Sequence, residues 1–87
     1  MPRVEIFTSP WCAFSLAAKR LLDRKGVPYE ETDVTEDPAL RDEMARRTGG
    51  DRRVPQVFIG GVHVGGCMEL HALDSEGRLD ALLGGAA

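Results

Sequence analysis

At 87 residues the chain has room for one domain, 1–87, and is too short for two cores that would each bury enough apolar surface to fold. A formal charge of −3 and a pI near 5.3 remove the electrostatic case for a nucleic acid or an anionic membrane as partner. MPRVEIF shows neither an apolar run of spanning length nor a charged, apolar, small-residue leader, and two cysteines are too few for a stapled secreted scaffold; a soluble cytoplasmic protein with reduced thiols is expected.

Val4 to Thr8 (VEIFT) is short, rich in β-branched and aromatic residues, and stops at Ser9-Pro10, which predicts a strand ending in a turn. From Cys12 to Lys25 the residues Phe14, Ala18, Leu21, Leu22 and Lys25 recur at three- and four-residue steps, with Lys19, Arg20, Asp23 and Arg24 on the wet face. Gly26 then stops a helix, and Pro28 follows. Tyr29 to Val34 (YEETDV) reads as a second strand with alternate positions buried.

Asp37 before Pro38 sets an N-cap ahead of a proline at the first helical position, and a largely exposed helix runs through Leu40, Met44 and Arg47 to Gly49-Gly50. Val57-Phe58-Ile59 and Val62-His63-Val64 flank Gly60-Gly61, the plainest hairpin signal in the chain. A short helix from Cys67 to Leu73 comes next. Ser75 is expected to cap a last helix through Leu79, Leu82 and Leu83, and the tail GGAA to fray.

Strand, helix, strand makes a βαβ unit with parallel strands, and the hairpin adds antiparallel ones. The economical packing is a four-stranded mixed sheet flanked by helices, an α/β architecture with the thioredoxin fold.

Cys12 lies between a strand end and a helix start, where unpaired backbone N–H groups and the positive end of the helix dipole converge. Such a position lowers a thiol pKa from about 8.5 and makes a nucleophile at neutral pH. In a C-x-x-C pair a second thiol one turn on resolves the mixed disulfide. Ser15 stands at that place and cannot resolve it; its hydroxyl either donates to the Cys12 thiolate or belongs to an ordinary first helical turn.

VEIFTSPWCAFSLAAKRLLDRKGVPYEE, RVPQVFIGGVHVGGCMEL and ALDSEGRLDALL, in that order, resemble the glutaredoxin family over nearly the whole chain, most closely the small bacterial type. The resemblance implies that Cys12 is the nucleophile, that Val54-Pro55 is a cis-proline turn beside it, and that Gly66, Cys67, Met68 and Glu69 belong to a glutathione groove. A cis-proline turn exposes backbone N–H and C=O groups to an extended tripeptide. A helix start after Gly66 suits a carboxylate. Arg53 can meet the other end of glutathione through its fork, or remain part of a solvated charge run in DRR. Phe14 and Trp11 are expected at the rim, with Phe14 partly exposed. The chain departs from the family at Met68, where an acidic or hydroxyl residue is usual, at Ser9, where a lysine is common, and in Cys12-Ala13-Phe14-Ser15, which replaces C-P-[YF]-C.

Two functions follow from the resemblance. One is an oxidoreductase that reduces protein–glutathione mixed disulfides with Cys12 alone, acting as a monomer on glutathione and glutathionylated proteins. The other is a homodimer bridged by a [2Fe–2S] cluster, with Cys12 of each copy and two glutathione thiolates as ligands. His63 and His71 have no spacing that pairs them with the cysteines as in a zinc site. Cys67 is expected to pack, the other reading being a disulfide with Cys12.

Overall fold

The computed structural model describes residues 2–84. The elements run β1 (Val4–Thr8), α1 (Ala13–Arg24), β2 (Glu30–Asp33), α2 (Pro38–Arg47), β3 (Gln56–Ile59), β4 (Val62–Gly65), α3 (Cys67–Ser75) and α4 (Leu79–Leu82). The strand order is β2-β1-β3-β4, with β1 parallel to β2 and antiparallel to β3, and β3 antiparallel to β4. This is the four-stranded mixed sheet of the thioredoxin fold.

Alternation along the central strands divides the core. Val4 and Ile6 of β1 and Val57 and Ile59 of β3 pack with Ala18, Leu21 and Leu22 of α1, Leu70 of α3 and Leu79 of α4. Phe7 and Phe58 point to the opposite face, where Met44 of α2 and Val34 cover them. The glutamates of β2 pair with β1 at the sheet edge, which explains how EETD is a strand with little buried surface.

Gly60 and Gly61 turn the hairpin with φ of 61° and 81°, both in the left-handed region that a two-residue turn of this hand requires. Asp37 accepts the N–H groups of Ala39 and Leu40, as expected of an N-cap ahead of Pro38. Ser75 does not cap the last helix. It ends α3, which runs two residues past Leu73, and α4 starts at Leu79 with Arg78 as its N-cap; Gly77 (φ 74°) makes the break. Of the GGAA tail, residues 85–87 lie outside the described residues.

Arg47 has a role its place in an exposed helix does not announce. Its guanidinium closes on both oxygens of Glu5 at 3.0 and 2.8 Å and lies 4.1 Å from the centre of the Phe58 ring. The pair covers the α2 side of the sheet with charge that is neutralised and stacked. The Arg47 hydrogen bonds hold the Glu5 carboxyl below its ordinary pKa. That contribution to stability is complete above the unfolded carboxylate value of about 4.3 and is lost as pH falls through the lower folded value. Replacing Glu5 with Gln is expected to lower the thermal midpoint at pH 7 by about 5 °C, the shift that ~1 kcal/mol produces in a domain of this size. The gap from the parent protein should narrow in the same calorimetric series as pH falls below the unfolded carboxylate value and close once Glu5 is protonated in the folded protein.

Candidate active site

Cys12 closes the turn between β1 and α1. Its backbone N–H donates to the Ser9 carbonyl at 3.2 Å, and its extended backbone (φ −102°, ψ 115°) makes it the N-cap residue of α1. The N–H groups of the first turn lack partners inside the helix, and those of Ser15 and Phe14 act on its sulfur without forming a geometric cap hydrogen bond. No acidic side chain occupies that turn to oppose the dipole. Partial burial works against the thiolate most strongly. The backbone N–H of Ser15, the Ser15 hydroxyl and the backbone N–H of Phe14 together outweigh it, and the Cys12 thiol titrates below its ordinary range.

Ser15 is only 1% exposed. Its Oγ accepts the Ser9 N–H at 3.3 Å, which leaves the hydroxyl proton free for the sulfur. Val54 faces Cys12 from the loop before β3, with its carbonyl oxygen 3.7 Å from Sγ, and the Val54–Pro55 peptide bond is cis.

A groove of about 270 Å³ extends from this turn to the start of α3. Phe14 of α1, then Arg53, Val54 and Pro55, then Gly66, Cys67, Met68 and Glu69 all line it. These eight residues of the expected glutathione groove are thus gathered in one depression, while Cys12, Trp11 and Gly65 are not among its lining residues. Asp51 and Gln56 line it too, and the sequence reading passes over both. The close approach of α3 to the cis-proline turn depends on glycine. A Cβ on Gly66 would stand 3.1 Å from the Pro55 carbonyl oxygen, and one on Gly65 (φ 123°) would run into the Glu69 side chain at 2.8 Å.

Arg53 is exposed but not a free solvated charge. Its Nε and Nη2 donate to Asp51 Oδ1 and Oδ2 at 3.0 and 2.9 Å, and its backbone N–H donates to the same carboxylate at 2.9 Å. This fork holds the Asp51 carboxyl well below the usual carboxylate range. Glu69 is likewise occupied on one side, since Oε1 accepts the Gly66 N–H at 2.7 Å and closes the start of α3. Met68 extends into solvent beside it.

Cys67 is half-buried against the larger core cluster. Its sulfur lies 3.4 Å from His71 Nδ1, which is also 2.8 Å from the Cys67 carbonyl oxygen. Burial, then the nearby charges of Cys12 and Glu69, push the Cys67 thiol up, the opposite of Cys12. Both cysteines are free thiols. His63 Nε2 is 2.7 Å from Gln56 Oε1 and its ring lies near Phe58, away from either cysteine's helix. Phe14, 61% exposed, lines the groove as expected, whereas Trp11, 89% exposed, is not among its lining residues and faces the β2 side of the turn instead.

The glutaredoxin family model matches residues 4–64. The chain belongs to the glutaredoxin family. A glutaredoxin of Pseudomonas aeruginosa is 52% identical over 83 residues, spanning 95% of this chain and 98% of the relative. The solution structure of the glutaredoxin from Brucella melitensis superposes with a TM-score of 0.84 at 48% identity, covering 100% of this chain and 94% of that one. The buckwheat glutaredoxin, solved in complex with glutathione, has a TM-score of 0.86 at 29% identity, over 95% of this chain and 77% of its own.

Membership places the protein in the thiol–disulfide oxidoreductase class. Among the described residues no group of three or more His, Cys, Asp or Glu side chains is arranged to hold a metal ion, and no helix is long and apolar enough to cross a membrane. An iron–sulfur centre needs more thiolates than Cys12 supplies, so this chain fits one only as a contributor to a shared site. Replacing Ser15 with Ala should raise the pH midpoint for alkylation of Cys12 by iodoacetamide while leaving the far-UV spectrum intact. An unmoved midpoint would assign the whole shift to the backbone N–H groups.

Proposed function

We propose that this glutaredoxin is a glutathione-dependent monothiol oxidoreductase that reduces protein–glutathione mixed disulfides through Cys12. The observation that carries this reading is the meeting of a thiol of lowered pKa with a groove whose two ends suit the two carboxylates of a tripeptide. In the bound state the Val54 backbone pairs with the extended peptide. Free N–H groups of Cys67 and Met68 at the start of α3 take the γ-glutamyl carboxylate, and the outer oxygen of Glu69 takes the ammonium. Arg53, already oriented by Asp51, meets the glycine carboxylate.

The reaction needs one cysteine. The Cys12 thiolate attacks the glutathione sulfur of the mixed disulfide, the disulfide bond breaks, and the target leaves as a thiolate that takes a proton from water. A second glutathione thiolate then attacks the glutathione sulfur on Cys12, releasing glutathione disulfide and regenerating the Cys12 thiolate. Reduction of a protein dithiol disulfide by an internal route is closed, because Ser15 carries no thiol. The protein acts as a single domain over residues 1–87, a monomer in the reducing cytoplasm. Cys12→Ser should abolish deglutathionylation of a glutathionylated peptide, and Ser15→Cys should add the capacity to reduce a protein dithiol disulfide. Activity surviving in Cys12→Ser would remove the proposal.

A second reading is favoured by Ala13, which restores an N–H donor at the first position of α1 where proline is usual in the family. In it, Cys12 of two copies and two glutathione thiolates hold a [2Fe–2S] cluster that contributes electron transfer or cluster delivery. Anaerobic reconstitution with iron, sulfide and glutathione separates the two. The monothiol reading expects a colourless monomer on gel filtration, and a coloured dimer would establish the cluster.

A further inference from the structure

A second depression, about 440 Å³, lies beside the nucleophile and shares no lining residue with the glutathione groove. Pro10 and Trp11 form its wall on the Cys12 turn, and Asp33, Glu36 and Asp37 come from the end of β2 and the turn into α2. Trp11 is 89% exposed, so its ring face has no partner in the fold.

The acidic groups here are unevenly engaged. The Thr35 hydroxyl, and then the Thr35 N–H that Asp33 Oδ1 accepts at 2.8 Å, hold the Asp33 carboxyl below its ordinary value. Asp37 Oδ1 caps α2. Among the described residues no Lys or Arg lines the depression, although Lys19 stands near enough to act on Asp33 from the Glu31 side. An open aromatic face opposite carboxylates is the chemistry that receives an ammonium or guanidinium.

The sheet order gives this depression its direction. With strands in the order β2-β1-β3-β4, the groove sits on the β3 side of Cys12 and the depression on the β2 side. When the glutathione half of a mixed disulfide occupies the groove, the target half, bonded to the glutathione sulfur, has to extend out of the groove over the neighbouring surface. The β2 side is the open direction that carries a shaped surface.

We propose that the depression between Trp11 and the β2–α2 turn receives a lysine or arginine side chain close to the glutathionylated cysteine of the target protein. The proposal rests on the deglutathionylation reading and names the class of target that reading leaves open. Cationic targets are drawn to Asp33 and Glu36 and stack on Trp11, while acidic targets meet repulsion on the same path. The preference is strongest at low ionic strength and fades as salt screens it.

The test uses the full chain and three substrates. Two are glutathionylated peptides identical except for a pair of lysines or a pair of glutamates beside the modified cysteine. The third is the small mixed disulfide of glutathione and 2-mercaptoethanol. The lysine peptide should be favoured in kcat/KM by about tenfold at low salt, with the ratio falling towards one as salt rises. In an Asp33→Asn, Glu36→Gln double variant the ratio should fall to about twofold or less, with turnover of the small disulfide unchanged. Trp11→Ala should weaken the lysine peptide alone. Equal rates for the two peptides in the parent protein, or a preference that persists in both variants, would overturn the proposal. Failure on all three substrates, the small one included, would instead overturn the deglutathionylation reading.

Discussion

Backbone N–H groups at the start of α1 have no partners inside the helix, and those of Phe14 and Ser15 act on the sulfur of Cys12 at the N-cap. Much else in the molecule is arranged to keep that turn in place. β1 lies between β2 and β3, so its end cannot drift, and Ala18, Leu21 and Leu22 pin α1 to the same sheet. The turn in between is held by the Cys12 N–H on the Ser9 carbonyl and the Ser9 N–H on Ser15 Oγ. A thiolate at this junction is stabilised by groups whose positions are set by the core, at no further cost in ordering when the charge appears.

The strands and helices were largely legible because their signals are local. VEIFT, the Gly60-Gly61 hairpin and the Asp37-Pro38 cap each specify their own geometry, and each stands where the pattern places it. Ser75 misled because a good capping residue has no capping work while the preceding helix continues through it; Gly77, two residues on, is what stops α3. Arg47 follows Leu40 and Met44 along a helix whose sequence looks exposed, and its fork on Glu5 is a contact 42 residues apart in sequence that no periodicity encodes. Within the site, Cys12 and the glycines before α3 could be read from their neighbours. Asp51 could not: in DRR a charge run looks solvated, and only the spacing from Asp51 to Arg53 hinted at a carboxylate folding back on the guanidinium.

The two cysteines show how environment sorts residues of one type. Both stand at or near a helix start, yet Cys12 is pushed towards the thiolate and Cys67 away from it. The difference lies in what accompanies each sulfur. Cys12 has donors and an acid-free first turn, whereas Cys67 has the core behind it and Glu69 in the same turn. Position relative to a dipole is therefore not sufficient; the nearest charge and the burial of the sulfur decide the sign.

Ser15 separates two functions that a dithiol site combines. The fourth position of the motif is buried while the first reaches the surface, so an incoming disulfide meets position 12 whatever stands at position 15. In the proposed reaction, attack by Cys12 depends on the helix start and is untouched by the loss of a second thiol. Resolution does depend on that thiol, and with serine there it must come from outside. In the proposed reaction that outside thiol is a second glutathione, and the groove lined by Arg53, Met68 and Glu69 lies next to the turn where it would have to arrive.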